Sequence, residues 1–250
     1  PTVAFASATL AVGETFEYWK RRVGLDAVED ERLVEGRFPS PFAYSSRVLL
    51  GVPTDAPTPD QPKYQDFLSE FVRDALCVSE GKALVLFTSY SMLEATYRVA
   101  FPALKKLGIS CYRQGEDDRA RLLPRFNHEV ASVLFATDSF WEGVDAPGET
   151  LQLVIICRLP FRVPNDPVLL ARMDAIRNRG GNPFQELSLP DAVTKLKQGF
   201  GRLMRHRDDR GVVLIADARI VKKSYGSVFL RSLPQTRQSI GSSRSVLEGL

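Results

Sequence analysis

The sequence predicts an α/β protein, a mainly parallel sheet with helices on both faces, and three observations carry that prediction. Short apolar runs alternate with stretches of helical period along most of the 250 residues. The runs are continuously apolar rather than alternating, as strands covered on both faces are. A composition of 44% hydrophobic and 25% charged residues is that of a globular chain long enough to bury a sizeable core.

The elements follow in order. "VAFAS" (3–7) reads as a buried strand and "ETFEYWKRRVGL" (14–25) as a helix. "RVLLGV" (47–52) is a strand, and the proline-rich 52–62 that follows is a loop. Residues 63–79 place apolar side chains at 64, 67, 68, 71, 72, 75 and 76, a helical period, with Phe67 and Phe71 as core. "KALVLFTS" (82–89) is a strand ending in hydroxyls. The helix expected over 91–108 should bend or break at Pro102. A short strand (109–113), a helix (117–129) carrying core Phe126, and a strand (132–137) come next. The apolar run 151–160 leads to a helix over 166–180 and another over 190–206, started by Pro190 and Asp191. "GVVLIADAR" (211–219) is a strand, and the polar tail beyond about residue 232 is expected to fray.

A net charge of +3 permits contact with nucleic acid without arguing for it. Cys77, Cys111 and Cys157 are widely spaced with no CxxC pair, so no metal site is expected within this chain. Reduced thiols in apolar runs point to a cytoplasmic protein. No apolar stretch nears 18 residues, so no membrane partner is expected. The chain begins with Pro rather than Met, as expected of a piece of a longer protein.

In a parallel sheet the working loops lie at the carboxyl ends of the strands. "TSYS" (88–91), "RQGEDDR" (113–119), "TDSFWEGVDAPG" (137–148) and "DARIVKK" (217–223) fall there. In "QGFGRLMRH" (198–206), Gln198, Arg202 and Arg205 stand at i, i+4 and i+7, on one helix face within about 60° of each other. Leu196, Phe200 and Leu203 take the opposite face. Gly199 and Gly201 each cost about 1 kcal/mol in a helix interior, which implies a close approach to the backbone. Two guanidiniums and an amide suit a polyphosphate whose charge grows in a transition state. Against this stands a plain solvated basic face. The acidic loop offers Asp138, Glu142 and Asp145, to orient the arginines, to accept from a ribose hydroxyl, or simply to cap a helix. Thr88, Ser89 and Ser91 suit either a phosphate or ordinary N-capping. "DARIVKK" reads as a solvated basic patch more readily than as a site, and His128 and His206 as surface residues.

Taken in order, "FASATL", "LVLFTSYS", "FATDSFWEGVDAPG" and "QGFGRLMRHRDDRG" resemble motifs III, IV, V and VI of superfamily 2 helicases, closest to the DinG branch of the XPD/DinG group. "FPSPF", "SRVLLGVPTDAP", "RLPF" and "YGSVFLRSLP" extend the resemblance over about residues 1–234. It implies a RecA-like fold and half of an ATP-driven, 5′-to-3′ DNA helicase motor. Residues 1–25 would carry the motif III segment of the first motor domain, 26–234 the second motor domain, and 235–250 a polar tail. By position, Arg205 resembles the finger that reaches the γ-phosphate, Arg202 its neighbour, and Gln198 the opening amide of motif VI. Glu142, Gly143 and Asp145 match the nucleotide-facing motif V. Thr88, Ser89 and Thr137 match positions near the DNA backbone, and Ser7, Ala8 and Thr9 the interdomain-coupling motif III. No GxxxxGK[ST] or DEAH-like box occurs. The resemblance therefore implies that ATP and Mg²⁺ are held mainly by a first RecA-like domain, with any iron–sulfur cluster outside this chain. Single-stranded DNA and that first domain are the expected partners. The alternative is a RecA-like module that binds nucleic acid or protein without catalysis.

Overall fold

A computed structural model describes residues 2–137, 140–141, 146 and 148–250. Seven strands form one sheet: β1 (Val48–Pro53), β2 (Ala83–Leu86), β3 (Ser110–Arg113), β4 (Ser132–Ala136), β5 (Leu153–Ile156), β6 (Gly211–Ile215) and β7 (Arg237–Gly241). Their order is β3-β4-β2-β5-β6-β1-β7, and every pairing is parallel. Alternate residues of β2, β4, β5 and β6 feed two separate cores. Ala83, Val85 and Phe87 point to the face covered by α3 (Tyr64–Val78), α4 (Tyr90–Lys106) and α10 (Ser243–Leu247). Leu84 and Leu86 point to the face covered by α5 (Arg119–His128), α7 (Leu189–Phe200) and α9 (Gly226–Ser232). Leu196, Phe200 and Leu203 are all buried there, and Phe71 and Phe126 are core as expected. The described set is completed by α1 (Glu17–Val23), α2 (Tyr44–Arg47), α6 (Pro167–Asn178) and α8 (Arg219–Lys222).

Four expectations are corrected. Residues 3–7 form no strand; Val3 and Phe5 are exposed, and no neighbouring strand pairs with them among the described residues. Pro102 does not break α4, which runs through it to Lys106 with the ring on the exposed side. The polar tail does not fray. Residues 237–241 pair with Leu49–Pro53 as an edge strand, and the Asp55 carboxylate accepts the Ser243 N–H and hydroxyl, both at 2.8 Å. Val246 is then buried against Gly51. Polar residues suit an edge strand, which has one free side and must not recruit another. Finally, the helix expected to reach 206 stops at Phe200 with Gly201 as its C-cap.

Candidate functional site

That early stop reshapes the expected basic face. Gln198 is on α7, but Arg202 and Arg205 lie in the turn beyond it. Arg202 folds back, its Nε donating to the Gln198 carbonyl at 3.1 Å. Asp209, almost fully buried, sets the path of the rest: its Oδ2 accepts the main-chain N–H of Arg205 at 2.6 Å and of His206 at 2.7 Å. Two short bonds to one ionised oxygen hold the loop more firmly than neutral acceptors could. Gly148 lies against the other oxygen of Asp209, where any side chain would overlap it. Arg205 is half-buried beside Tyr44. Burial pushes the Tyr44 phenol above its ordinary pKa, and the Arg205 charge opposes that shift.

Gly199 does meet a close neighbour. A Cβ there would stand 2.9 Å from the ring of Trp141, which is fully buried and donates its indole N–H to the Phe87 carbonyl at 3.2 Å. The close approach comes from the protein's own tryptophan. Trp141 itself packs against α7 at Gly199. Glu142, Gly143 and Asp145, with Asp138, lie outside the described residues.

Thr88, Ser89 and Thr137 come together at the carboxyl edge, just past the adjacent strands β2 and β4. Ser89 caps α4, accepting the Met92 N–H at 3.3 Å. Thr137 is buried, and its N–H and hydroxyl donate to Gln114 Oε1 at 2.6 and 3.0 Å. Thr88 is half-buried. These three do not adjoin the arginine loop, which leads into the opposite, amino end of β6.

Ser7 and Thr9 join Gln198 instead. Together with Phe5, Trp19, Trp141 and Lys195 they line a cleft of about 560 Å³ between the amino-terminal segment and α7. Ala8 sits in the same turn, exposed. Polar contacts fasten this segment down. Tyr18 Oη donates to Asp191 Oδ1 at 3.1 Å, and Arg22 Nη1 reaches both Asp191 Oδ1, at 2.9 Å, and Tyr18 Oη, at 2.7 Å. Burial and the Asp191 charge push the Tyr18 phenol up to about 12. Lys197 Nζ donates to the Ala11 carbonyl at 2.9 Å, and burial lowers its pKa.

Sequence reasoning missed two buried carboxylates, Asp209 and Asp217. Asp217 is fully buried, pairs with Arg219 (Nη2–Oδ2 2.6 Å, Nε–Oδ1 2.9 Å) and accepts the Leu159 N–H at 2.9 Å. Acidic residues inside basic stretches, "RHRDDR" and "DARIVKK", were the only signal. Among the described residues no group of three or more His, Cys, Asp or Glu is gathered as for a metal ion. Nor is any described helix long and apolar enough to cross a membrane.

The family described as Helicase C-terminal domain matches residues 72–236. The ATP-dependent DNA helicase YoaA of Haemophilus influenzae is 43% identical over 235 residues, 94% of this chain and 36% of that protein. The 3′-5′ exonuclease DinG of Bacillus subtilis is 35% identical over 243 residues, 95% of this chain and 26% of that protein. The chain thus spans about a third or less of these relatives. The solved structure of S. tokodaii Xpd4 superposes with a TM-score of 0.55 at 15% identity, over 79% of this chain and 39% of that one. At such identity the likeness speaks for the fold, which is RecA-like. The chain belongs to the Helicase C-terminal domain family.

Proposed function

We propose that the chain is the second motor domain of an ATP-dependent, 5′-to-3′ DNA helicase. The observation that carries this reading is the loop after α7, where Asp209 fixes the main chain of Arg205 inside a matched helicase domain. In this reading Arg205 is an arginine finger, and its fork meets charge developing on the γ-phosphoryl group in the transition state. Arg202 and Gln198 stand beside it, and Glu142, Gly143 and Asp145 face the nucleotide. ATP, with Mg²⁺, is held by a first RecA-like domain, because the P-loop that cradles phosphates has no counterpart in this sequence. Thr88, Ser89 and Thr137 touch the backbone of single-stranded DNA along the carboxyl edge. Ser7, Ala8 and Thr9 pass movement between the domains, and the Tyr18–Arg22–Asp191 cluster supports this by tying their segment to α7. Residues 1–25 then belong functionally to the first domain.

A second reading, a RecA-like module that binds nucleic acid without serving a motor, is favoured by one observation: the B. subtilis relative bears the name of an exonuclease. Unwinding by the intact protein separates the two. Forked duplexes with a 5′ or a 3′ single-stranded tail are incubated with and without ATP. ATP-dependent unwinding that needs the 5′ tail is the expected result. Binding without unwinding supports the module, and unwinding from the 3′ tail overturns the polarity.

A further inference from the structure

The stretch "DARIVKK" has no place in the reading above, and its structure is not that of an idle basic patch. It follows β6 at the carboxyl edge, where β5 also ends, two residues before Arg158. The parallel order β4-β2-β5-β6 sets the ends of four strands in a row. Thr137 and Thr88 follow the first two, and Arg158 and Arg219 the second two. At about 4.8 Å per strand the row is roughly 14 Å long, enough for a few nucleotides. Asp217 builds the far end. One fully buried carboxylate grips Arg219 and accepts the Leu159 N–H, locking the loops after β5 and β6 together. The Arg219 guanidinium also lies over the Phe161 ring, 5.6 Å from its centroid. Lys222 and Lys223 follow, both exposed. Hydrogen bonds from Thr58 and the main chain lower the pKa of the exposed Asp60, and the nearby Arg219 and Lys223 charges add smaller contributions. With Asp217 and Asp60 set against Arg158, Arg219, Lys222 and Lys223, the surface keeps a positive balance.

We infer that these four residues form a second phosphate-binding station for single-stranded DNA, beyond the hydroxyls of Thr88 and Thr137. Asp217 is its positioning residue. A strand crossing the row meets neutral hydroxyl donors first and cations last, so the cations supply most of the salt-dependent affinity. The inference rests on the proposed carboxyl-edge track and extends it by two strands.

The test is the affinity of the full-length protein for an oligothymidylate across a salt series. Lys222→Ala/Lys223→Ala should weaken binding roughly tenfold at low salt. It should also flatten the plot of log affinity against log salt by about 0.7 for each phosphate no longer neutralised. Both lysines are exposed, so the variant should fold, which circular dichroism checks. Thr88→Val, measured alongside, should weaken binding by about tenfold while leaving the slope unchanged, because it removes a neutral donor. If Thr88→Val weakens binding and the lysine variant keeps the wild-type slope and affinity, the station is refuted while the track stands. If neither variant changes binding, the carboxyl edge is not the track and both readings fall.

Discussion

Asp209 and Asp217 flank the same five-residue strand, each two positions beyond an end of β6, and they do different things with the same carboxylate. Asp209 accepts from main-chain N–H groups, those of Arg205 and His206. Asp217 grips the guanidinium of Arg219 itself, besides the N–H groups of Leu159 and Arg219. A carboxylate bound to the backbone shapes a loop through its main-chain N–H groups. A carboxylate bound to the guanidinium fixes the side chain and offsets part of its charge. The first arrangement sets the course of a loop; the second fixes a side chain as part of a surface. The proposed finger and the proposed DNA station lie beyond opposite ends of this one strand.

The largest expected effect tests the first half of that contrast. In the full-length protein, Arg205→Ala should lower DNA-stimulated ATP turnover by about 10³-fold. Arg205→Lys should recover little, since a point ammonium does not reproduce a planar fork. The KM for ATP should move much less, because the loss falls on transition-state charge. Turnover within a few-fold of wild type would reduce Arg205 to a surface arginine. The second half is a matter of stability. Asp217→Ala leaves the Arg219 guanidinium, whose side chain is only 16% exposed, without its carboxylate. The cost should be about 3–5 kcal/mol, read as a lower urea midpoint at unchanged slope. A shift under 1 kcal/mol would mean that the pair is not needed to hold the two loops.

A third prediction concerns the chain by itself. It should hydrolyse ATP no faster than background and bind single-stranded DNA only at micromolar concentration or weaker, with strong salt dependence. Nanomolar, salt-independent binding would show that the contacts to DNA do not depend on charges set out along this edge.

What the sequence disclosed, and what it hid, divides along the same physical line. Strands β1, β2, β4, β5 and β6 were legible because continuous apolar runs leave few alternatives, and α3 and α4 because their period is regular. Residues 3–7 have the same apolar character, yet a strand exists only where a neighbour takes up its hydrogen bonds, and composition is blind to neighbours. Residues 237–241 failed in the opposite sense. A polar edge strand looks like a tail until β1 supplies its partner. The end of α7 was hidden because "GRLMRH" keeps a helical period in its apolar residues. Leu203 is buried whether the chain continues as helix or turns, so the pattern could not register the break. Asp209 holds the chain beyond that turn, through a contact with two N–H groups that no spacing rule anticipates.

The smallest effect is the most discriminating, because it sets the two aspartates against each other without deleting either arginine. Asp209→Asn keeps one acceptor oxygen but loses the charge that makes both bonds to Oδ2 short, so the cost should be about 1–2 kcal/mol. The arginine loop loosens, and turnover at saturating DNA should fall by about tenfold with the KM for ATP little changed. Asp217→Asn should do the reverse, weakening DNA affinity several-fold while turnover at saturating DNA stays near wild type. Gly148→Ala then separates position from charge. A methyl at 148 would overlap Asp209 Oδ1 and push the carboxylate off its N–H partners while leaving it ionised. If Asp209 acts by holding the Arg205 main chain, Gly148→Ala lowers turnover as Asp209→Asn does. If its negative charge alone matters, Gly148→Ala leaves turnover intact, and the contrast between the two ends of β6 becomes one of electrostatics rather than of loop geometry.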